Sequence, residues 1–119
     1  MTTELTKLRA NGIDIYYDLR GPKTDVPLVL TNGFAGPTDC WRDEPLALAE
    51  ERPLLLYDVR GHGRTEVPQD LGQYSMPAFA ADLAALLEAL GIGRAHIGGV
   101  SMGGMVAAQF AVDFPRMVE

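Results

Sequence analysis

Cysteine is scarce in this chain of 119 residues, and long apolar runs and a recognisable signal peptide are not found. Cys40 is its single cysteine, so no disulfide can form within the chain, and a reducing, cytoplasmic location is the default expectation. No stretch approaches the roughly 20 apolar residues that a membrane-spanning helix needs. The first residues, Met1 to Glu4, lack the basic and apolar regions of a signal peptide. Neither secretion nor membrane insertion is therefore predicted.

Basic residues are also in deficit, with ten Lys and Arg against 16 Asp and Glu, which gives a formal net charge of −6. A surface of this sign repels nucleic-acid phosphates and anionic membranes, so neither is predicted as a partner. The length supports at most one small domain with a single hydrophobic core.

Short apolar runs alternate with amphipathic segments along the chain. An antiparallel hairpin is predicted first, because an Asn-Gly turn separates two runs of strand-forming residues. Its second strand alternates apolar and polar residues, which predicts one buried and one exposed face, with Tyr16 and Asp18 on the exposed one. The predicted strands are Leu5–Arg9, Ile13–Leu19, Pro27–Thr31, Leu54–Tyr57 and Ala95–Val100, and helices are predicted after Thr38 or Asp39, after Ser75, and over Met105–Val112. Buried strands alternating with helices predict an α/β domain with a mostly parallel sheet.

A single serine, Ser101, stands in a G-x-S-x-G pattern between the last predicted strand and helix. A strand that turns at once into a helix forces the turn residue into a strained conformation and exposes its side chain, and glycines at 99 and 103 avoid a clash there. The backbone N–H of Met102 would then point at whatever the Ser101 hydroxyl attacks. The alternative is that the glycines merely tighten a turn. The order strand, turn, helix favours a nucleophile. The spacing of these glycines fits neither the P-loop motif nor the dinucleotide-binding motif, so nucleotide binding is not predicted.

Three blocks of sequence together resemble the α/β-hydrolase family. They are Thr31-Asn32-Gly33-Phe34, Asp58-Val59-Arg60-Gly61-His62-Gly63-Arg64 and Gly99-Val100-Ser101-Met102-Gly103-Gly104. Their order and spacing are similar to the N-terminal half of that fold over essentially all 119 residues. The resemblance implies that residues 1–119 are the N-terminal portion of one α/β-hydrolase domain: a hairpin, then a mostly parallel sheet with flanking helices, cut after the elbow helix. The sequence from 57 to 109 is most similar to the group that contains oxoadipate enol-lactonases, perhydrolases and simple carboxylesterases.

This resemblance also implies roles for individual residues. Ser101 is the expected nucleophile, and the expected oxyanion hole takes backbone N–H groups from Met102 and Phe34. Asn32 and Gly33 are expected to contact substrate, although Asn32 departs from the His-Gly that many relatives carry there. No metal and no cofactor are implied. Haloalkane dehalogenases and epoxide hydrolases of this family use an aspartate at the elbow, so the serine disfavours their chemistry.

The family's triad order, Ser then Asp or Glu then His, is not completed in this sequence. No histidine follows Ser101. Asp113 would lie about 18 Å from it along a helix, and His96 roughly 16 Å away along a strand. We expect the acid, the base and the cap to come from residues that are not present here.

The loop after the strand Leu54–Tyr57 carries a second set of polar residues. His62 is expected to order this loop, as the equivalent residue does in the family, and not to act as the base. Asp58 and Arg60 are expected to form an ion pair that stabilises the same loop.

Two functions are compatible with these observations. The first is hydrolysis of a carboxylic ester, lactone or related small acyl compound by the complete protein, through an acyl-enzyme on Ser101. The second is a non-catalytic ligand-binding or interaction fragment on the same fold. The downstream sequence separates them, since a Gly/Asp-rich strand end followed by a Gly-His strand end would restore the enzyme.

The isolated 119-residue chain is predicted to self-associate and to be inert towards p-nitrophenyl esters. The strand before Ser101 belongs in mid-sheet, and here one edge of it would carry unpaired N–H and C=O groups beside exposed apolar helix residues. Sedimentation at micromolar concentration and an esterase assay test this prediction. A stable monomer with burst-phase ester cleavage would contradict it and would point to a recruited base such as His62.

Overall fold

A computed structural model describes residues 6–22, 26–31 and 47–119 of the chain. The strands are β1 (Thr6–Ala10), β2 (Ile13–Arg20), β3 (Leu28–Thr31), β4 (Leu54–Tyr57) and β5 (His96–Gly99), and the helices are α1 (Met76–Ala89) and α2 (Met102–Asp113). Single 3-10 turns cover Leu48–Glu50, Leu71–Gln73 and Pro115–Met117. The strands form one sheet in the order β1-β2-β4-β3-β5, so the predicted α/β architecture is confirmed. Most of the helix predicted after Thr38 or Asp39 lies outside the described residues.

The N-terminal hairpin forms because its turn residues accept left-handed backbone angles. Asn11 has φ 50° and Gly12 has φ 81°, which is the geometry that an Asn-Gly hairpin turn requires. The strands pair antiparallel with Leu8 opposite Ile15. The predicted hairpin is therefore confirmed, with its strands shifted by about a residue.

The prediction of an exposed face on β2 is wrong at two positions. Tyr16 and Asp18 are only 2% and 5% exposed. The loop after β4 covers this face: the Tyr16 N–H donates to Thr65 Oγ1 at 3.0 Å, and the Arg64 guanidinium lies 5.0 Å from the centre of the Tyr16 ring. Asp18 accepts a hydrogen bond from Arg20 Nε at 2.8 Å. A loop distant in sequence has replaced the solvent that the alternation predicts.

The middle of the sheet is parallel. β3 lies between β4 and β5, and Thr31 at its end pairs in register with Tyr57 on one side and Gly99 on the other. β2 joins β4 antiparallel from the other side. Because the three parallel strands run the same way, their carboxyl ends meet at one edge of the sheet, and the loops that follow them share that edge.

The helix α1 begins at the predicted cap. The Ser75 hydroxyl accepts the Ala78 N–H at 3.1 Å, and Pro77 lies in the first turn, where it does not disrupt helical hydrogen bonding. Its apolar residues pack in the core of the molecule; the fully buried members are Ala80, Leu83, Leu86 and Leu87. Of the helices in the described ranges, none is long and apolar enough to cross a membrane.

The helix α2 divides its apolar residues between core and solvent. Val106 and Phe110 are fully buried, whereas Met105 and Val112 are 56% and 76% exposed. The expectation that the apolar residues of this helix are exposed is therefore confirmed at Met105 and wrong at Val106 and Phe110. Phe110 is covered because it packs in the core and against the Phe114 ring, whose centroid lies 5.3 Å away.

Ala95, the residue directly before β5, is paired on its outer side, so the expectation of an uncapped edge is wrong at this one position. The Ala95 N–H donates to the Met117 carbonyl, and the Glu119 N–H donates to the Ala95 carbonyl, both at 2.9 Å. Ala95 and Val118 thus form a single parallel bridge. Among the described residues, β5 itself pairs with β3 alone, so its other edge is open as expected.

Arg60 pairs with Asp82 of α1, so the expected Asp58–Arg60 ion pair is wrong. The Arg60 guanidinium donates to both Asp82 oxygens at 2.8 and 2.9 Å, and the two side chains are only 6% and 3% exposed. The Asp82 carboxylate raises the pKa of Arg60. Arg60 Nη1 also reaches the Gln73 carbonyl, and Asn11 Nδ2 donates to Asp82. The Arg60 side chain extends from the loop after β4 to α1, so its partner is a residue 22 positions later in the sequence.

Replacing Asp82 by alanine is predicted to cost about 3–5 kcal/mol of unfolding free energy, because it leaves the Arg60 guanidinium buried without a counter-charge. Urea unfolding followed by circular dichroism measures the change. Asp14→Ala is the matched control: its carboxylate is 52% exposed beside Arg9, so its loss should cost less than about 1 kcal/mol. Equal losses in the two variants would contradict the importance of the buried pair.

Candidate active site

The candidate site lies at the edge of the sheet where β3, β4 and β5 end. Two described segments follow these strand ends: the loop 58–66 after β4, and the turn at Val100 and Ser101 after β5. Asn32, Gly33 and Phe34 lie outside the described residues, so their assignment stays a prediction.

Ser101 occupies a strained turn between β5 and α2. Its backbone has φ 56° and ψ −115°, and among the described non-glycine residues only Asn11 shares a positive φ. Such a conformation costs about 1–3 kcal/mol and persists only where the surroundings impose it. Here the strand ends at Gly99 and the helix begins at Met102, which leaves two residues to reverse direction. The predicted strained turn is confirmed.

The Ser101 side chain is exposed and does not cap its own helix. Serine at a helix N-terminus ordinarily turns its hydroxyl back to a free N–H of the first turn. The backbone of Ser101 is not in the extended conformation of an ordinary capping residue, and its side chain makes no such hydrogen bond. An exposed hydroxyl at this position is what nucleophilic attack requires.

The first N–H groups of α2 are arranged around Ser101. Gly103 donates to the Val100 carbonyl at 2.8 Å, and Gly104 donates to the Ser101 carbonyl at 2.9 Å. Among the backbone hydrogen bonds that the structure describes, none uses the N–H of Met102. This donor is at the positive end of the helix dipole, next to the serine, where it can stabilise an anion. The position agrees with its predicted role in an oxyanion hole, which stays a prediction.

Gly99 is required by close packing between the strand end and the helix. A Cβ on Gly99 would run into the carbonyl group of Gly103 and would lie 2.8 Å from the Gly104 nitrogen. The helix backbone therefore lies directly against the strand backbone. Gly98, one residue earlier, has room: a Cβ there would make ordinary contact with Leu30 Cδ2 at 3.4 Å.

The loop after β4 is held by its buried carboxylate and by α1. Asp58 is fully buried, and its Oδ2 accepts the Arg64 N–H at 2.9 Å. Gly63, with φ 53°, lies against this carboxylate, where any larger residue would collide with it. On the other side of the loop, Arg60 is hydrogen-bonded to Asp82 of α1. Hydrogen bonds of Asp58 and Arg60 therefore hold the loop in place at the sheet edge.

His62 is oriented by its own loop. Its Nδ1 lies 2.9 Å from the Arg60 carbonyl, and since a carbonyl can only accept, Nδ1 carries the proton in this contact. This bond fits the expected role of ordering the loop. His96 lies at the opposite end of β5 from Ser101. Within the described parts of the chain, no group of three or more His, Cys, Asp or Glu residues is placed to hold a metal ion.

Sequence reasoning missed the buried carboxylate of Asp82. It lies among the buried apolar residues of α1, one residue before Leu83 and three after Phe79. An acidic residue on the buried face of a helix, in a chain with an arginine-bearing loop, is the signal that could have found it.

Comparison with known proteins identifies what the chain is similar to. Residues 26–119 match the family described as alpha/beta hydrolase fold. The RutD protein of Azorhizobium caulinodans, whose name assigns it carbamate hydrolysis, is 35% identical over 105 residues, which are 88% of this chain and 38% of the relative. A non-heme chloroperoxidase of Streptomyces lividans is 36% identical over 115 residues, 95% of this chain and 41% of the relative. The chain thus spans about two fifths of the length of these relatives.

Solved structures of similar proteins have the same fold as this chain. Est816, described as an N-acyl homoserine lactone degrading enzyme, superposes with a TM-score of 0.86 at 34% identity, over 95% of this chain and 42% of its own. The epoxide hydrolase VrEH1 from Vigna radiata superposes with a TM-score of 0.90 at 25% identity, over 98% of this chain and 38% of its own. The described strands and helices therefore occur together in larger proteins of the same fold.

Gly99→Ala is predicted to destabilise the protein by about 1–3 kcal/mol, because the added methyl group overpacks the contact between β5 and α2. Thermal unfolding measures the loss. Gly98→Ala is the matched control, since its methyl group has room, and its melting temperature should stay close to that of the parent. Equal melting of the two variants would contradict the close approach at Gly99.

Proposed function

Because the chain belongs to the α/β-hydrolase family, we propose that the protein containing it is a hydrolase with Ser101 as its nucleophile. One observation carries this proposal: the exposed Ser101 side chain stands on a strained backbone between a parallel strand and a helix N-terminus. A structural serine has no reason to adopt this conformation. A nucleophile needs it, because the turn presents the hydroxyl to a substrate beside the backbone N–H of Met102.

The proposed reaction is acyl transfer in two steps. The Ser101 oxygen attacks the carbonyl carbon of the substrate while a base takes the hydroxyl proton. The tetrahedral oxyanion accepts hydrogen bonds from the N–H groups of Met102 and Phe34. Its collapse breaks the bond to the leaving group, which takes the proton, and leaves an acyl-enzyme. Water then attacks this ester, and the acid is released with Ser101 regenerated.

An ester, a lactone or a related acyl compound is the proposed substrate class. The names of similar proteins support this choice, since carbamates and lactones both present a carbonyl carbon bonded to a leaving heteroatom. The likeness to an epoxide hydrolase does not extend to the nucleophile, because that chemistry in this family uses an aspartate where this chain has Ser101. Attack by serine on a carbonyl fits the residue that is present.

We assign the catalytic acid and base to parts of the protein beyond these 119 residues. No histidine follows Ser101 in the sequence, and His96 lies at the far end of β5. A serine without its base is a weak nucleophile. The isolated chain is accordingly expected to have little or no turnover, whereas the full-length protein is expected to hydrolyse small esters.

Ser101→Ala in the full-length protein is predicted to lower ester hydrolysis by several powers of ten with the fold intact. A fluorophosphonate probe should label the parent and not this variant, because the probe reacts with an activated serine hydroxyl. The chain has one other serine, so Ser75→Ala is the matched control: it loses the cap of α1, at a cost of about 1 kcal/mol, and should be labelled like the parent.

Two results would contradict the assignment. The first is equal labelling of the parent and Ser101→Ala. The second is a parent that neither reacts with the probe nor hydrolyses p-nitrophenyl acetate, which would favour a ligand-binding protein on the same fold.

A further inference from the structure

Two buried hydroxyl groups meet at the ends of β3 and β4. Thr31 and Tyr57 are opposite each other in the parallel register, and Thr31 Oγ1 lies 2.9 Å from the Tyr57 hydroxyl oxygen. Both residues are essentially inaccessible, with exposed fractions of 0% and 1%. Each is the last residue of its strand. The bond therefore joins the strands at the edge where the candidate site begins.

The backbone of Thr31 is joined to the third strand. Its carbonyl accepts the Val100 N–H at 3.1 Å, and Val100 is the residue directly before Ser101. The hydrogen bonds thus run from the Tyr57 hydroxyl to the Thr31 side chain, and from the Thr31 carbonyl to the base of the strained turn. On its other side, Thr31 is covalently followed by Asn32.

The Tyr57 hydroxyl keeps its proton near neutral pH. Burial raises the pKa of Tyr57 above its ordinary value, and the Asp82 carboxylate adds to the effect, although the hydrogen bond with Thr31 opposes it. The pair is therefore a hydrogen bond between two neutral groups near neutral pH. Its strength does not depend on salt, and removal of either hydroxyl leaves the other buried without this partner.

We propose that Tyr57 and Thr31 are positioning residues for the nucleophile, a proposal that rests on the proposed function. The Thr31 carbonyl holds the Val100 N–H, so the start of the strained turn at Ser101 keeps its position only if the end of β3 keeps its own. Attack by the Ser101 hydroxyl requires a fixed position of this turn. The backbone ladder sets the separation of β3 and β5. The hydroxyl pair fixes the rotation of the Thr31 peptide, because it holds the side chain of the last residue of β3 in place against β4.

The test measures the reactivity and the stability of the same full-length variants. Tyr57→Phe and Thr31→Val each remove one hydroxyl, and the double variant removes both. The single variants should unfold at lower temperature, whereas the double variant should recover much of that loss because no buried group is left unpaired. The rate of fluorophosphonate labelling at Ser101, measured well below the lowest melting temperature, should fall about tenfold in all three, since small displacements of reacting groups are costly.

Ile15→Val is the control for instability alone. It removes a methyl group from a fully buried side chain on β2, so it should lower the melting temperature without changing the labelling rate. The proposal is overturned if Tyr57→Phe is labelled as fast as the parent. It is also overturned if the double variant recovers its labelling rate together with its stability, because the pair would then be only structural. A parent that the probe does not label would contradict the proposed function itself.

Discussion

The parallel pairing of β3, β4 and β5 is the constraint on which the candidate site depends. Parallel strands in register end at the same edge, and here Tyr57, Thr31 and Gly99 lie side by side. The residues that follow them are brought together although they are separated by dozens of positions in the sequence. The apolar runs of β3 and β4 favour this arrangement, since parallel strands lie in the middle of a sheet that is covered on both faces.

Buried polar groups then make the edge rigid. Arg60, Asp82 and Asp58 fix the loop after β4, and the Thr31–Tyr57 pair fixes the end of β3. Burial of charges stabilises a fold little compared with apolar packing, but loss of one partner is costly. Such groups specify one arrangement of the loops. This specification matters most at the edge of the sheet, where no further strand residues hold the backbone.

Local signals in the sequence predict the parts of this structure that depend on near neighbours. The Asn-Gly turn, the Ser75 cap and the serine between glycines each act within a few residues, and each is found where it was expected. The interactions that were predicted wrongly join distant segments. Tyr16 is buried by a loop that comes almost 50 residues later in the chain. Arg60 pairs with Asp82 and not with Asp58 because of the position of α1 in the fold. The periodicity of apolar residues predicts which face of a strand or helix is apolar. It does not predict which polar group another segment brings to that face.

The bridge between Ala95 and Val118 can form only if the strand and the helix between them match in length. From Ala95 to Ser101 the chain advances about 20 Å along the strand, and the 12 residues of α2 carry it back about 18 Å. Strand and helix are matched, so Val118 returns to the level at which β5 began. One inserted residue within α2 would rotate everything after it by about 100° and turn Phe110 away from the core. Natural variation in length among related proteins should therefore be rare between Ala95 and Val118.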